Sequence, residues 1–155
     1  MQRFRMSDFL QIARDLAARP GQWPVAVRFD PVQRWYHRLA LHDDYEAWLL
    51  SWLPGQETDL HDHGGSAGAF TVVSGELTEH TVTGGDGAAR LAGTALTAGD
   101  GRRFGAHHLH QIANNGTVPA VSVHVYGPAL RTMTRYRLHD GRLRVAAVDR
   151  AGAQW

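Results

Sequence analysis

A small all-β protein, an antiparallel barrel or double-sheet jelly roll with one helix in front of it, is the fold class that this sequence predicts. Three observations carry the expectation. Short runs rich in Val, Thr, Trp and Tyr fill the chain from about Arg34 onward, turn-forming residues separate them at near-regular spacing, and no helical stretch recurs between them to build βαβ units. The length of 155 residues, 43% of them hydrophobic, suits one domain spanning 1–155 with a core of useful size.

The helix comes first. Phe9, Leu10, Ile12, Ala13, Leu16 and Ala17 recur at helical spacing, which predicts a helix over about 7–19 with Ser7 placed to cap it and Pro20-Gly21 to end it. The barrel is expected over about 34–148. Its turns are marked by Asp43-Asp44, Pro54-Gly55, Ser74-Gly75, Gly84-Gly85-Asp86-Gly87, Gly99-Asp100-Gly101, Asn114-Asn115-Gly116, Gly127-Pro128 and Asp140-Gly141. The glycine-rich stretch from Thr83 to Gly87 is a turn between strands, too short for a domain boundary.

Composition narrows the chemistry. Sixteen cationic side chains stand against 15 acidic ones, so no net field recruits nucleic acid or an acidic membrane, and neither is an expected partner. All the cations are arginine; without lysine there is no Schiff base and no P-loop lysine. Without cysteine there is no disulfide, thiolate nucleophile or sulfur-ligated metal, so any metal must use His, Asp or Glu. The start, Met1-Gln2-Arg3-Phe4-Arg5-Met6-Ser7-Asp8, lacks the apolar core of a signal peptide, and no run of about 18 apolar residues occurs, so a cytoplasmic protein is expected. Against this ordinary background stand ten histidines.

His61-Asp62-His63 places two imidazoles two residues apart, and in an extended strand both point to one face, as two ligands of one metal must. A third ligand has to come from elsewhere. On pattern alone His107, His108 and His110 are equal candidates. Farther on, Ser122, His124 and Tyr126 alternate with Val121, Val123 and Val125, giving a strand with one polar and one apolar face. Pattern alone leaves open which of those faces is turned inward.

Gly55, five residues, His61-x-His63, four residues to Gly68 and six more to Gly75 resemble the first motif of the cupin barrel, and His110 with three residues to Asn114 resembles the second. The usual cupin motif has a glutamate ligand where Gly68 stands, so the resemblance implies a three-histidine site. The run Trp52 to Glu79, with Leu109-His110-Gln111-Ile112-Ala113-Asn114 and Pro119 to Tyr126, resembles the thiol dioxygenases, specifically cysteine dioxygenase, over roughly residues 34 to 130. Several consequences follow from that resemblance. It implies a cupin fold, one Fe(II) per chain on His61, His63 and His110, and a catalytic Ser122-His124-Tyr126 network turned toward the metal. Arg38 matches the arginine that clamps the carboxylate of cysteine, where relatives acting on 3-mercaptopropionate tend to carry glutamine, and Tyr36 matches the tyrosine that assists it. Trp52 matches a position near the metal. His107 and His108 match no ligand position and are expected at the rim; Asp62 is expected as a solvent or outer group. In animal members the position of Gly68 is a cysteine cross-linked to the tyrosine matching Tyr126. This chain cannot form that bond, so Tyr126 must be placed by packing and hydrogen bonds.

The resemblance thus implies a monomeric dioxygenase whose partners are a small thiol and O2. Its expected reaction converts L-cysteine to cysteine sulfinate; the alternatives are another small thiol acid, such as 3-mercaptopropionate or mercaptosuccinate, and a non-catalytic cupin binding a metal or ligand. A cupin isomerase or epimerase would turn over without oxygen.

Overall fold

The computed structural model describes residues 6–84 and 88–150; the side chains of Met6 and Ser7, Gly85 to Gly87 and Trp155 lie outside that description. The helix α1 (Met6–Ala17) opens one residue earlier than its pattern predicts, and the capping role expected of Ser7 falls on an undescribed side chain. It stops short of residue 19 because a separate 3-10 turn (Pro20–Gln22) begins at the proline. The indole of Trp23 donates to the Leu16 carbonyl (2.9 Å), satisfying an acceptor that the helix end leaves open.

Eleven strands follow among the described residues: β1 (Tyr36–Leu41), β2 (Glu46–Trp52), β3 (Leu60–His61), β4 (Ala67–Ser74), β5 (Glu76–Thr83), β6 (Arg90–Thr97), β7 (Gly101–Phe104), β8 (His110–Ala113), β9 (Ala120–Gly127), β10 (Thr132–His139) and β11 (Arg142–Arg150). Each turn signal read from the sequence falls at a junction between two of them, with Ser74, Gly101 and Gly127 forming the ends of strands and Gly85 to Gly87 lying outside the described residues. The breaks after β3 and β7 carried no such reading, although Gly64 and Gly65 mark the first with positive φ (59° and 94°). The strands form two antiparallel sheets facing each other, ordered β1-β2-β9-β4-β7 and β11-β10-β3-β8-β5-β6.

Strand alternation then builds two cores. One face of the first sheet sends Leu50, Trp52, Phe70, Val72 and Tyr126 into the lumen between the sheets, where Leu77, Phe104 and Ile112 meet them. The other face sends Ala47, Leu49, Ala69, Val121, Val123 and Val125 against Phe9, Leu10 and Ala13 of α1. β9 lies at the centre of this sheet and is buried along its whole length. Its valines pack under the helix while Ser122, His124 and Tyr126 occupy the lumen, so neither face meets water.

The helix covering is therefore tested at β9. Val123→Ala leaves a cavity beneath α1 and is expected to cost about 2 kcal/mol, read as a lower urea midpoint with an unchanged slope.

Candidate metal centre

His61 ends β3 and pairs in register with His110, the first residue of β8. His63 lies beyond the strand, in the turn that Gly64 and Gly65 make, and Ser66 N–H closes that turn on the His63 carbonyl (3.0 Å). A side chain at Gly64 would put its Cβ 2.3 Å from the Thr132 carbonyl oxygen, so the turn can lie against β10 only as glycine. All three histidines are buried, their ring centroids are 4.8 to 5.0 Å apart, and one nitrogen of each lies within 4.8 Å of the others.

The ring orientations come from outward hydrogen bonds. His61 Nδ1 sits 2.7 Å from the Asp59 carbonyl and His110 Nδ1 sits 2.9 Å from Glu79 Oε2, so both rings present Nε2 to the shared centre. Neither nitrogen of His63 has a hydrogen-bond partner among the described residues, although both are buried. Such an orphaned imidazole among two others fits a metal ion, which supplies the missing partner. Burial holds His61 and His63 well below the usual imidazole range, and it also lowers His110. All three therefore keep a lone pair for a metal at neutral pH.

Glu79 is one of the residues that sequence reasoning missed. It lies on β5 two residues from the buried Leu77, on the same inward face, and that alternation was the available signal. Burial alone would raise its carboxyl; hydrogen bonds from His108 (3.3 Å) and His110 outweigh this and hold it at about 2. Glu79, His108 and His110 also form a second potential ligand group, but it shares His110, whose Nδ1 already lies at hydrogen-bond distance from the carboxylate. Arg102 Nε adds an ion pair at 3.4 Å on Oε1. His108 is thus tied to the carboxylate behind the site and is more than a rim residue, whereas His107 is exposed.

Gly68 explains why no fourth ligand stands beside the three. A Cβ there would lie 2.2 Å from the Val125 carbonyl oxygen and 2.7 Å from Phe104 Cζ. The Phe104 ring stacks on His63 with centroids 4.5 Å apart. Apolar carbon thus walls that side of the centre.

Next to the histidines runs a buried polar chain. Trp52 Nε1 donates to Ser122 Oγ (2.9 Å), Ser122 Oγ lies 2.8 Å from His124 Nε2, and His124 Nδ1 lies 3.5 Å from Tyr126 Oη. Burial lowers His124 to about 3, so its ring is neutral. Burial, with Glu46 beside it, pushes the Tyr126 hydroxyl well above its ordinary value, so it keeps its proton. Asn114 ties this region down by donating to the carbonyls of Trp52 and Val118, both at 2.9 Å. Asp62 is not simply solvated: it accepts from Gly64 N–H (3.1 Å), Thr134 N–H (3.0 Å) and the Tyr136 hydroxyl (2.9 Å), fixing the His63 turn to β10.

Two arginines of the β1 region separate sharply. Arg38 is exposed, its guanidinium 5.7 Å from the Trp48 ring centroid, and Tyr36 meets the same indole edge-on at 5.8 Å. Arg34, which carried no functional expectation, has its guanidinium over Trp52 (5.2 Å), and its Nη1 is buried with no partner. Burial lowers Arg34 to about 10, with the nearby Tyr126 opposing that shift, and the group remains a cation at neutral pH. Glu46, also unforeseen, is buried; it accepts from the Trp48 indole and from Leu130 N–H (3.0 Å).

The family described as cysteine dioxygenase type I matches the chain over residues 6–139. Among solved structures, an uncharacterized conserved protein with a double-stranded β-helix domain from Klebsiella pneumoniae is 20% identical over 95% of this chain and 98% of its own, with a TM-score of 0.57. An RmlC-like cupin protein from Desulfovibrio desulfuricans is 17% identical over 70% of this chain and 95% of its own, also with a TM-score of 0.57. At these identities the likeness establishes the fold, a cupin barrel.

Two outcomes test the centre. The histidines are neutral when folded but titrate near 6.5 when unfolded, so below that pH the unfolded chain binds more protons and stability falls as pH drops. For metal-free protein the expected loss is up to about 1.4 kcal/mol per pH unit for each such histidine, and for His124 it continues toward about pH 3. A urea midpoint that stays flat from pH 7 to 5 contradicts buried neutral rings. Glu79→Gln is expected to weaken divalent-metal affinity by about 10- to 100-fold, measured by competition with a chelator, because His110 loses its anionic partner.

Proposed function

Because this chain belongs to the cysteine dioxygenase type I family, we propose that it is a non-haem iron(II) thiol dioxygenase that converts L-cysteine to cysteine sulfinate. Family membership makes it a dioxygenase-type cupin enzyme, acting on a small molecule with O2. The proposed reaction places both oxygen atoms of O2 on sulfur, turning a thiol into a sulfinic acid, and needs no further reductant. The observation that carries the reading is the pairing of three buried, mutually facing imidazoles with the Trp52–Ser122–His124–Tyr126 chain in one lumen.

His61, His63 and His110 would hold the ion. Iron(II) there would supply the redox chemistry by which O2 reacts with a thiolate. The protein's part is positioning, exclusion of water and placement of one proton. Trp52 can only donate, so Ser122 accepts from it and turns its own proton to His124 Nε2. His124 then carries its proton on Nδ1, facing Tyr126 Oη (3.5 Å), and the phenol keeps its own proton beside the histidine cluster. A protonated hydroxyl there could serve as a hydrogen-bond donor beside the histidines that would hold the ion. Phe104 and Phe70, stacked on His63 and His124 at 4.5 and 5.1 Å, keep this region dry. The ordinary family assignment gives the carboxylate to Arg38 and Tyr36 at the edge of β1.

The exposure of Arg38 favours a second reading, in which the substrate is another small thiol acid such as 3-mercaptopropionate or mercaptosuccinate. The proposal also places a monomer in the cytoplasm, a compartment that suits a cysteine-free chain; among the described residues no helix is long and apolar enough to cross a membrane.

Oxygen uptake by protein loaded anaerobically with Fe(II) tests the reading, with L-cysteine, 3-mercaptopropionate and mercaptosuccinate offered in turn. Fastest uptake with cysteine and a product heavier by two oxygen atoms is expected. Preference for another thiol selects the second reading, and no uptake with any thiol at one iron per chain rejects both. Tyr126→Phe is expected to lower kcat about 100-fold with KM little changed, since only the O–H is lost.

A further inference from the structure

We propose that Glu46 is a positioning residue for Tyr126, its carboxylate standing beside the phenol on the lumenal face of the first sheet and holding the segment that follows it. The inference rests on the thiol dioxygenase reading, in which the Tyr126 hydroxyl acts beside the histidines, and adds a residue that fixes it there.

Tyr126 has two cross-strand neighbours, and only one of them carries a side chain. On β4 it pairs with Gly68, over which the Phe104 ring lies; on β2 it pairs in register with Glu46. Glu46 begins the same alternation that carries Leu50 and Trp52 into the lumen, so its carboxylate and the phenol leave adjacent strands on one face. The carboxylate is buried, and among the described residues it has no ion pair. Its donors are neutral, the Trp48 indole on Oε1 and Leu130 N–H on Oε2 (3.0 Å). Burying a carboxylate without a counter-ion opposes folding. What it offers at this place is two acceptor oxygens, one for each donor, where an amide has a single one.

The bond to Leu130 also fixes the chain beyond the tyrosine. Leu130 follows Tyr126 by four residues, and between them the Pro128 carbonyl accepts from Ser66 Oγ (2.7 Å), in the turn whose Ser66 N–H closes on the His63 carbonyl. At Gly127 the backbone lies so close to α1 that an added Cβ would sit 2.1 Å from Phe9 Cζ. The stretch 127–130 is thus held by Ser66 from the His63 turn and by Glu46 from β2. The Tyr126 ring just before it stacks on His63 with centroids 5.4 Å apart, so a shift of this stretch is a shift of the phenol against the histidine cluster. At 3.5 Å the contact of the hydroxyl with His124 is long, and its place depends also on how the ring is flanked. Glu46 supplies that flank and ties it to the segment behind.

The test is a double-mutant cycle of Glu46→Gln and Tyr126→Phe. Fe(II)-loaded wild type, both single variants and the double variant are assayed with whichever of L-cysteine, 3-mercaptopropionate and mercaptosuccinate the wild type oxidises fastest. Glu46→Gln is expected to lower kcat about tenfold and to change KM less than about twofold. In the Tyr126→Phe background the same substitution should change kcat less than about twofold, because the hydroxyl it positions is gone. A merely structural Glu46 predicts losses that multiply, and that result overturns the assignment. Metal-free protein with isotopically labelled tyrosine gives a readout apart from activity. The Tyr126 ring signal in its NMR spectrum, identified by its absence from Tyr126→Phe, is expected to move in Glu46→Gln while that of Tyr136, tied to Asp62, stays. If Glu46→Gln fails to fold, Glu46→Asp, which keeps both oxygens on a shorter stem, should shift the same signal and lower kcat about threefold, again adding nothing to Tyr126→Phe. No uptake with any thiol, together with a displaced Tyr126 signal, removes the dioxygenase reading and keeps the positioning contact; an unmoved signal overturns the proposal whatever the activity.

Discussion

Desolvation of the histidine cluster is the constraint on which the rest depends. Three buried imidazoles meet in one lumen, and burial opposes a positive charge on each of them. The surroundings answer that constraint from outside the cluster. A backbone carbonyl turns His61, and the Glu79 carboxylate turns His110. Phe104 packs where a larger residue at Gly68 would have intruded, and the glycine turn sets His63 against the other two. Each of these groups acts on ring direction, and a common focus of lone pairs is the result.

The lumen exists because the first sheet is covered on its other face. A lone sheet with an apolar side would turn Val121, Val123 and Val125 toward whatever core is at hand and leave Ser122, His124 and Tyr126 to water. Helix α1 takes up the valine face instead, at contacts close enough that a Cβ on Gly127 would lie 2.1 Å from Phe9 Cζ. The polar face can then be enclosed by the second sheet. Once enclosed, its side chains need partners, and the chain from Trp52 to Tyr126 supplies them. Packing on one side of β9 thereby produces the ordered hydroxyl on the other.

Charge in the lumen is arranged by the same economy of partners. Glu79 is committed to the histidines and Arg102, and Glu46 to an indole and a backbone amide. Arg34 is the exception, a half-buried cation whose buried Nη1 has no partner among the described residues. An enclosed site that is polar at fixed points and apolar elsewhere is suited to orienting a small zwitterion or anion.

The sequence by itself determined the local events. Helical spacing from Phe9 to Ala17 and the glycine-, proline- and aspartate-rich turns depend on nearest neighbours, and they mark the helix and the strand boundaries to within a few residues. The H-x-H spacing placed two imidazoles together for a similar reason, although His63 reaches the centre from a turn and not from the strand. Only the tertiary structure decided what depends on register between distant segments. His61 faces His110, and not His107, because β3 and β8 pair at that residue; Glu79 stands behind His110 because β5 pairs with β8 on its other edge. Arg34 and Arg38 are indistinguishable as letters four positions apart. Whether a guanidinium is half-buried near Trp52 or exposed near Trp48 is settled by how the lead-in to β1 lies across β2, a contact between segments that no local pattern encodes.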